Sequence, residues 1–101
     1  MPAYTPAMPN AAQDPVVDEL RARITAADTE IVAAVNRRAA LVAELHAHKR
    51  ANGYDVFDAG REEQVIAAAL RANPGPISDA GMRELYGVIL PLCTREAATT
   101  T

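Results

Sequence analysis

Apolar side chains recur every three or four positions between residues 20 and 49, the spacing of one helix face. At 100° per residue, Leu20, Ile24, Ala27, Ile31, Ala34, Arg38, Val42, Leu45 and Lys49 fall within about 40° of one line. Asp14-Pro15 supplies an N-cap and a proline at the first helical position, where its missing N–H costs nothing. Asn52-Gly53 supplies residues that tolerate the left-handed conformation beyond a helix C-terminus. The pattern therefore predicts a long first helix over about 15–51.

Two shorter helices follow. Asp58 is placed to cap a second helix over about 58–73, which Asn73-Pro74-Gly75-Pro76 terminates because that segment cannot continue a helix. Ser78 is placed to cap a third, over about 78–97, whose buried line runs through Met82, Leu85, Ile89, Leu92 and Cys93. Pro91 lacks an N–H and crowds the carbonyl of Gly87, so it is expected to kink this helix without ending it. No stretch has the alternation of a strand, and the fold class is all-α. Residues 1–14 are expected to form a disordered tail, 15–97 one helical domain, and 98–101 a frayed end.

Helix length bears on assembly. About 36 residues at roughly 1.5 Å each span about 54 Å, whereas a compact globule of this size has a diameter of about 35 Å. Much of the apolar stripe would face water unless a second copy covered it, and two-fold pairing of identical stripes is the simplest cover. The expected assembly is an intertwined helical homodimer.

The same stripe contains two cations, Arg38 and Lys49. An unpaired charge buried there would cost several kcal/mol. Two explanations fit each residue. Arg38 either snorkels to solvent or meets a bound anion, and Lys49, the only lysine beside nine arginines, either favours the helix C-terminal dipole or joins Arg38 on that anion. Eleven residues separate them, which is three turns plus 20° and about 16 Å along the axis, so one small ligand fits between their heads. Asp58, Arg61 and Glu62 cluster at the start of the second helix. They form either a cap with a solvated ion pair or, with free N–H groups near Asp58, a seat for a carboxylate. His46 and His48 lie 200° apart and cannot chelate one metal, so they are expected to be flanking, solvated residues.

Composition narrows the ligand. The 101 residues carry 10 basic and 13 acidic groups, for a net charge of −3, without the cationic surplus that phosphate-backbone binding needs. Nucleic acid is not expected as a partner. A single cysteine, Cys93, leaves no intrachain disulfide and no thiol cluster for a metal. No uncharged apolar stretch approaches the roughly 20 residues of a membrane span, and the first fifteen residues lack the charged and hydrophobic regions of a signal peptide. A cytoplasmic location is expected.

Leu20-Arg21, Ile24, Asp28, Arg37-Arg38, Lys49 and the run Val56-Phe57-Asp58-Ala59-Gly60-Arg61-Glu62 together resemble the all-helical class of chorismate mutases, and most closely its short actinobacterial members. The spacing matches without a gap from Leu20 through Glu62, and the layout continues to about Ala97. The resemblance implies an intertwined homodimer with two equivalent sites and conversion of chorismate to prephenate without cofactor or metal. It implies that Arg38 clamps one substrate carboxylate and that Arg21, from the other subunit, holds the second. Lys49 would donate to the ether oxygen as its carbon–oxygen bond breaks, Glu62 would accept from the ring hydroxyl, and Arg61 with Asp58 would complete the polar wall.

The third helix departs from that pattern. Where relatives carry Ser or Thr and, four residues later, Gln or Glu, this chain is aligned with Cys93 and Ala97, so the second donor to the ether oxygen is missing unless Glu96 swings in protonated. Cys93 and Glu96 are accordingly the candidate substrate contacts of this helix. The resemblance to the short members also implies an activating complex with the first synthase of the shikimate pathway. Two alternatives share the pattern: an aminodeoxychorismate mutase or isochorismate pyruvate lyase on the same scaffold, and a non-enzymatic helical dimer.

Overall fold

The structure is a computed structural model, and it describes residues 11–99. The expected tail falls mostly outside these residues, but its last part is ordered into a single turn of 3-10 helix at Ala11–Gln13. Three α-helices follow: α1 (Pro15–Ala51), α2 (Arg61–Ala72) and α3 (Asp79–Thr99). Among the described residues there is no strand, and no helix is long and apolar enough to cross a membrane.

The ends of α1 are built as the local chemistry requires. Asp14 caps it, its carboxylate accepting from the Val16 N–H at 2.9 Å and its carbonyl from the Asp18 N–H at 3.1 Å. At the other end Gly53 adopts φ 70°, which lets its N–H reach the Arg50 carbonyl at 3.2 Å and the Tyr54 N–H reach the Lys49 carbonyl at 2.8 Å. This pair of bonds is a Schellman motif and turns the chain sharply into the loop that follows.

The start of α2 differs from expectation. Asp58 does not cap the helix through its side chain. Its carbonyl accepts from the Arg61 N–H at 3.2 Å, and Gly60 at φ 89° takes the cap position without a side-chain bond. A glycine at that φ completes the turn at no steric cost, and this turn displaces the helix start by three residues. Ser78 caps α3 as expected, its Oγ accepting from the Gly81 N–H at 3.0 Å. α3 runs through Pro91 to Thr99.

The chain divides between Ala33 and Ala34 into two units. In the first, the described residues are almost all exposed, including the stripe members Leu20, Ile24 and Ile31. In the second, α2 packs on α3, and Arg83 of α3 meets Glu63 of α2 at 3.4 Å in an exposed ion pair. The buried side chains among the described residues are Leu90, Cys93 and Ala97, one stripe on α3. The first-helix stripe is thus not a core within one chain, and the cations Arg38 and Lys49 are half-buried rather than enclosed.

Candidate active site

The second unit contains a cavity of about 480 Å³ that gathers the chemistry of the chain. The second half of α1 contributes Arg38 and Lys49, the loop after it Asp55, Val56, Phe57 and Asp58, and the first turn of α2 Arg61 and Glu62. The α1 cations arrive here because positions 38, 42, 45 and 49 share one helix face, and Val42 and Leu45 form the apolar wall between them.

Loop geometry brings the carboxylates in. The Schellman turn directs residues 54–58 back toward α1. Asp55 then accepts the Phe57 N–H through its own carboxylate at 3.0 Å, and the Lys49 ammonium donates to the Val56 carbonyl at 3.5 Å. The ring of His48 packs tilted against Tyr54, with centroids 6.3 Å apart. The loop is thereby held at three points, one of them made by a cation of the cavity itself.

Five of the sequence-derived candidates, Arg38, Lys49, Asp58, Arg61 and Glu62, line this one cavity. Three do not. Arg21 belongs to the first unit and is exposed there. Cys93 is 1% exposed in the α3 stripe, and Glu96 is exposed outside the cavity wall. From α3 the cavity is lined by Leu90 and Thr94, of which Thr94 brings a polar side chain. A shift of one residue turns a helical side chain by 100°, so the hydroxyl expected near position 93 is present, one residue further on. The signal was available in the family pattern of Ser or Thr on this helix.

His46 is a second residue not anticipated at the site. It is half-buried and lines the cavity rather than standing in solvent. Its position 60° around the helix from Lys49 puts it at the edge of the polar face. Among the described residues no cluster of His, Cys, Asp or Glu is arranged to hold a metal ion.

The fold and cavity together define an all-helical protein in which three cations, Arg38, Lys49 and Arg61, and three carboxylates, Asp55, Asp58 and Glu62, line one cavity. The chorismate mutase type II family model matches residues 20–97, and the chain belongs to that family. Its membership makes it an isomerase, a chorismate mutase. Among solved structures it is similar to a chorismate mutase (form II) from Thermus thermophilus, with a TM-score of 0.77 and 26% identity, over 83% of this chain and 96% of that one. No curated protein matches the chain.

Proposed function

We propose that the 480 Å³ cavity is where chorismate rearranges to prephenate, and that the site is completed by Arg21 from a second copy of the chain. The observation that carries this reading is the convergence of Arg38, Lys49 and Arg61 with Glu62 around one partly apolar cavity. A small dicarboxylate bearing a hydroxyl and an ether oxygen matches that set.

The reaction is unimolecular. One carbon–oxygen bond breaks while one carbon–carbon bond forms, and no proton, electron or leaving group is exchanged with the protein. Catalysis then consists of holding a chair-like conformer and stabilising the charge that gathers on the ether oxygen. Arg38 grips one carboxylate and the second copy's Arg21 the other, each suited to a bidentate contact. Lys49 donates to the ether oxygen, Glu62 accepts from the ring hydroxyl, and Arg61 with Asp58 closes the polar wall. Thr94 adds a hydroxyl from α3.

Four residues beyond Thr94 stands Ala98, which has no polar group, so α3 supplies no amide or carboxyl at the position where relatives carry Gln or Glu. That gap supports low turnover by the protein alone and activation in a complex with the first synthase of the shikimate pathway. Incubation with chorismate and identification of the product by mass spectrometry tests the reaction. Prephenate is expected, and pyruvate with an aromatic acid, or no consumption, overturns the assignment. Kinetics unchanged by added synthase overturn the activation.

A further inference from the structure

The loop peptide that meets Lys49 is held from its other end. The Val56 carbonyl accepts from the Lys49 ammonium at 3.5 Å, and the Phe57 N–H donates to the Asp55 carboxylate at 3.0 Å. These two groups belong to one peptide unit. That unit is planar and trans, so its carbonyl and its N–H point in opposite directions, and fixing one aims the other. Lys49 stands at one end of this peptide and the Asp55 side chain at the other, and both residues line the cavity.

Little else controls the plane. The Tyr54 N–H is anchored on the Lys49 carbonyl at 2.8 Å, and from there to the Val56–Phe57 peptide only the torsions of residues 54–56 intervene. Among the described residues no backbone–backbone hydrogen bond involves residues 55–57, so the turn that Asp55 makes onto its own backbone is what sets the peptide. The contact to Lys49 is at the outer end of hydrogen-bond range, where attraction falls steeply with distance and angle, so a small rotation of the peptide removes it. A carboxylate at the N–H end also polarises the peptide and makes its carbonyl the better acceptor.

We infer that Asp55 is a positioning residue for Lys49, its side chain holding the Val56–Phe57 peptide so that the carbonyl keeps the ammonium where it meets the ether oxygen of chorismate. The inference rests on the chorismate reading above. All the atoms involved lie within residues 49–57 of one chain, so it holds whichever copy supplies the rest of the site. What Asp55 contributes is an acceptor oxygen rather than its charge. Because Lys49 answers charge that develops during bond breaking, loss of this support acts on kcat more than on KM.

Steady-state kinetics with chorismate on variants at position 55 tests this. D55A is expected to lower kcat about tenfold, less than the roughly 10²-fold that a misplacement of about 1 Å can cost, since water reaches this exposed turn, and KM is expected to change less than kcat. D55N keeps an oxygen that forms the same turn and loses the charge, and is expected to recover most of the kcat that D55A loses. D55S, whose hydroxyl forms such turns more weakly, is expected to fall between them. In the K49A background D55A is expected to lower kcat no further, because the two residues act through one contact. Amide hydrogen exchange at Phe57, which reads the turn without turnover, is expected to be faster in D55A than in wild type and D55N. A D55N enzyme as slow as D55A, a tenfold loss that persists in K49A, a D55A enzyme with wild-type kcat, or equal Phe57 exchange in wild type and D55A overturns the inference while leaving wild-type chorismate turnover intact. A wild-type protein that forms no prephenate overturns the chorismate reading and this inference with it.

Discussion

The ammonium of Lys49 donates to the backbone carbonyl of Val56 at 3.5 Å, so the loop that forms one wall of the cavity is held by the residue assigned to the reacting oxygen. An ammonium has three N–H donors. One long contact to Val56 orients it toward the loop and leaves two N–H groups for a ligand. A donor held in place before reaction needs no reorganisation as charge develops, which is the condition under which a fixed donor lowers a barrier most.

Lys49→Ala removes that donor without touching a buried core position. Its kcat is expected to fall by about 10³-fold, the upper range for loss of one such donor, and far-UV circular dichroism is expected to remain that of the native helices. Activity retained within tenfold of wild type would show that another group meets the ether oxygen.

Thr94 and Cys93 separate a site role from a packing role on adjacent residues. Thr94→Val keeps the shape and removes the hydroxyl at the cavity, and is expected to lower kcat about tenfold to 10²-fold with little change in the unfolding midpoint. Cys93→Ser places a hydroxyl in the α3 stripe where the side chain is 1% exposed, and is expected to cost about 1–3 kcal/mol of stability with turnover maintained in the folded fraction. Steady-state kinetics and urea unfolding on both variants check the pair, and the reverse pattern would restore position 93 to the site.

That one-residue difference marks where sequence reasoning ran out. Both ends of α1 were legible, because Asp14-Pro15 and Asn52-Gly53 act through local backbone chemistry that needs no tertiary context. The order Arg38, Lys49, Asp58, Arg61, Glu62 was legible as well, since all five follow one uninterrupted spacing. Beyond the Asn73–Ile77 loop, whose conformation involves the Asn73 amide donating to the Ile77 carbonyl at 2.7 Å, no spacing rule fixes the rotation of α3. A helix-face assignment there depends on which stripe packs against α2, so spacing alone left Cys93 and Thr94 open, and only the preference of relatives for Ser or Thr on this helix pointed to Thr94. Residue preference alone points to Asp58 as a side-chain cap, while Gly60, two residues later, adopts a φ that only glycine takes cheaply. His46 lies at the edge of the stripe, where periodicity alone assigns neither cavity nor solvent.

Gly53 links fold to site through its backbone alone. At φ 70° it lies in the region where a Cβ is strained, although nothing stands within 4 Å of the position a Cβ would occupy. Gly53→Ala is therefore expected to cost about 1 kcal/mol through backbone strain without a clash. Because the two Schellman bonds aim the loop that carries Asp55 and Asp58, KM for chorismate is expected to rise in the same variant. Urea unfolding and kinetics measured together check both effects, and unchanged stability would mean that the turn rearranges at no cost.

The proposed use of Arg21 across subunits makes the sharpest demand on the assembly. Within one chain the stripe residues Leu20, Ile24 and Ile31 stay exposed, and the buried side chains among the described residues all belong to α3, so a second copy is the natural cover for the first helix. If each site combines Lys49 and Arg38 of one chain with Arg21 of another, Arg21→Ala and Lys49→Ala homodimers are each inactive for different reasons. Unfolding the two variants together and refolding them yields about half heterodimers by random pairing. Each heterodimer contains one site with both defects and one with neither. The mixture is then expected to recover about a quarter of wild-type activity, whereas either variant refolded alone recovers none. Refolding at increasing total protein concentration is expected to raise the recovered fraction, because association and folding are coupled. A mixture no more active than its components would place Arg21 in the same chain's site or outside the site altogether.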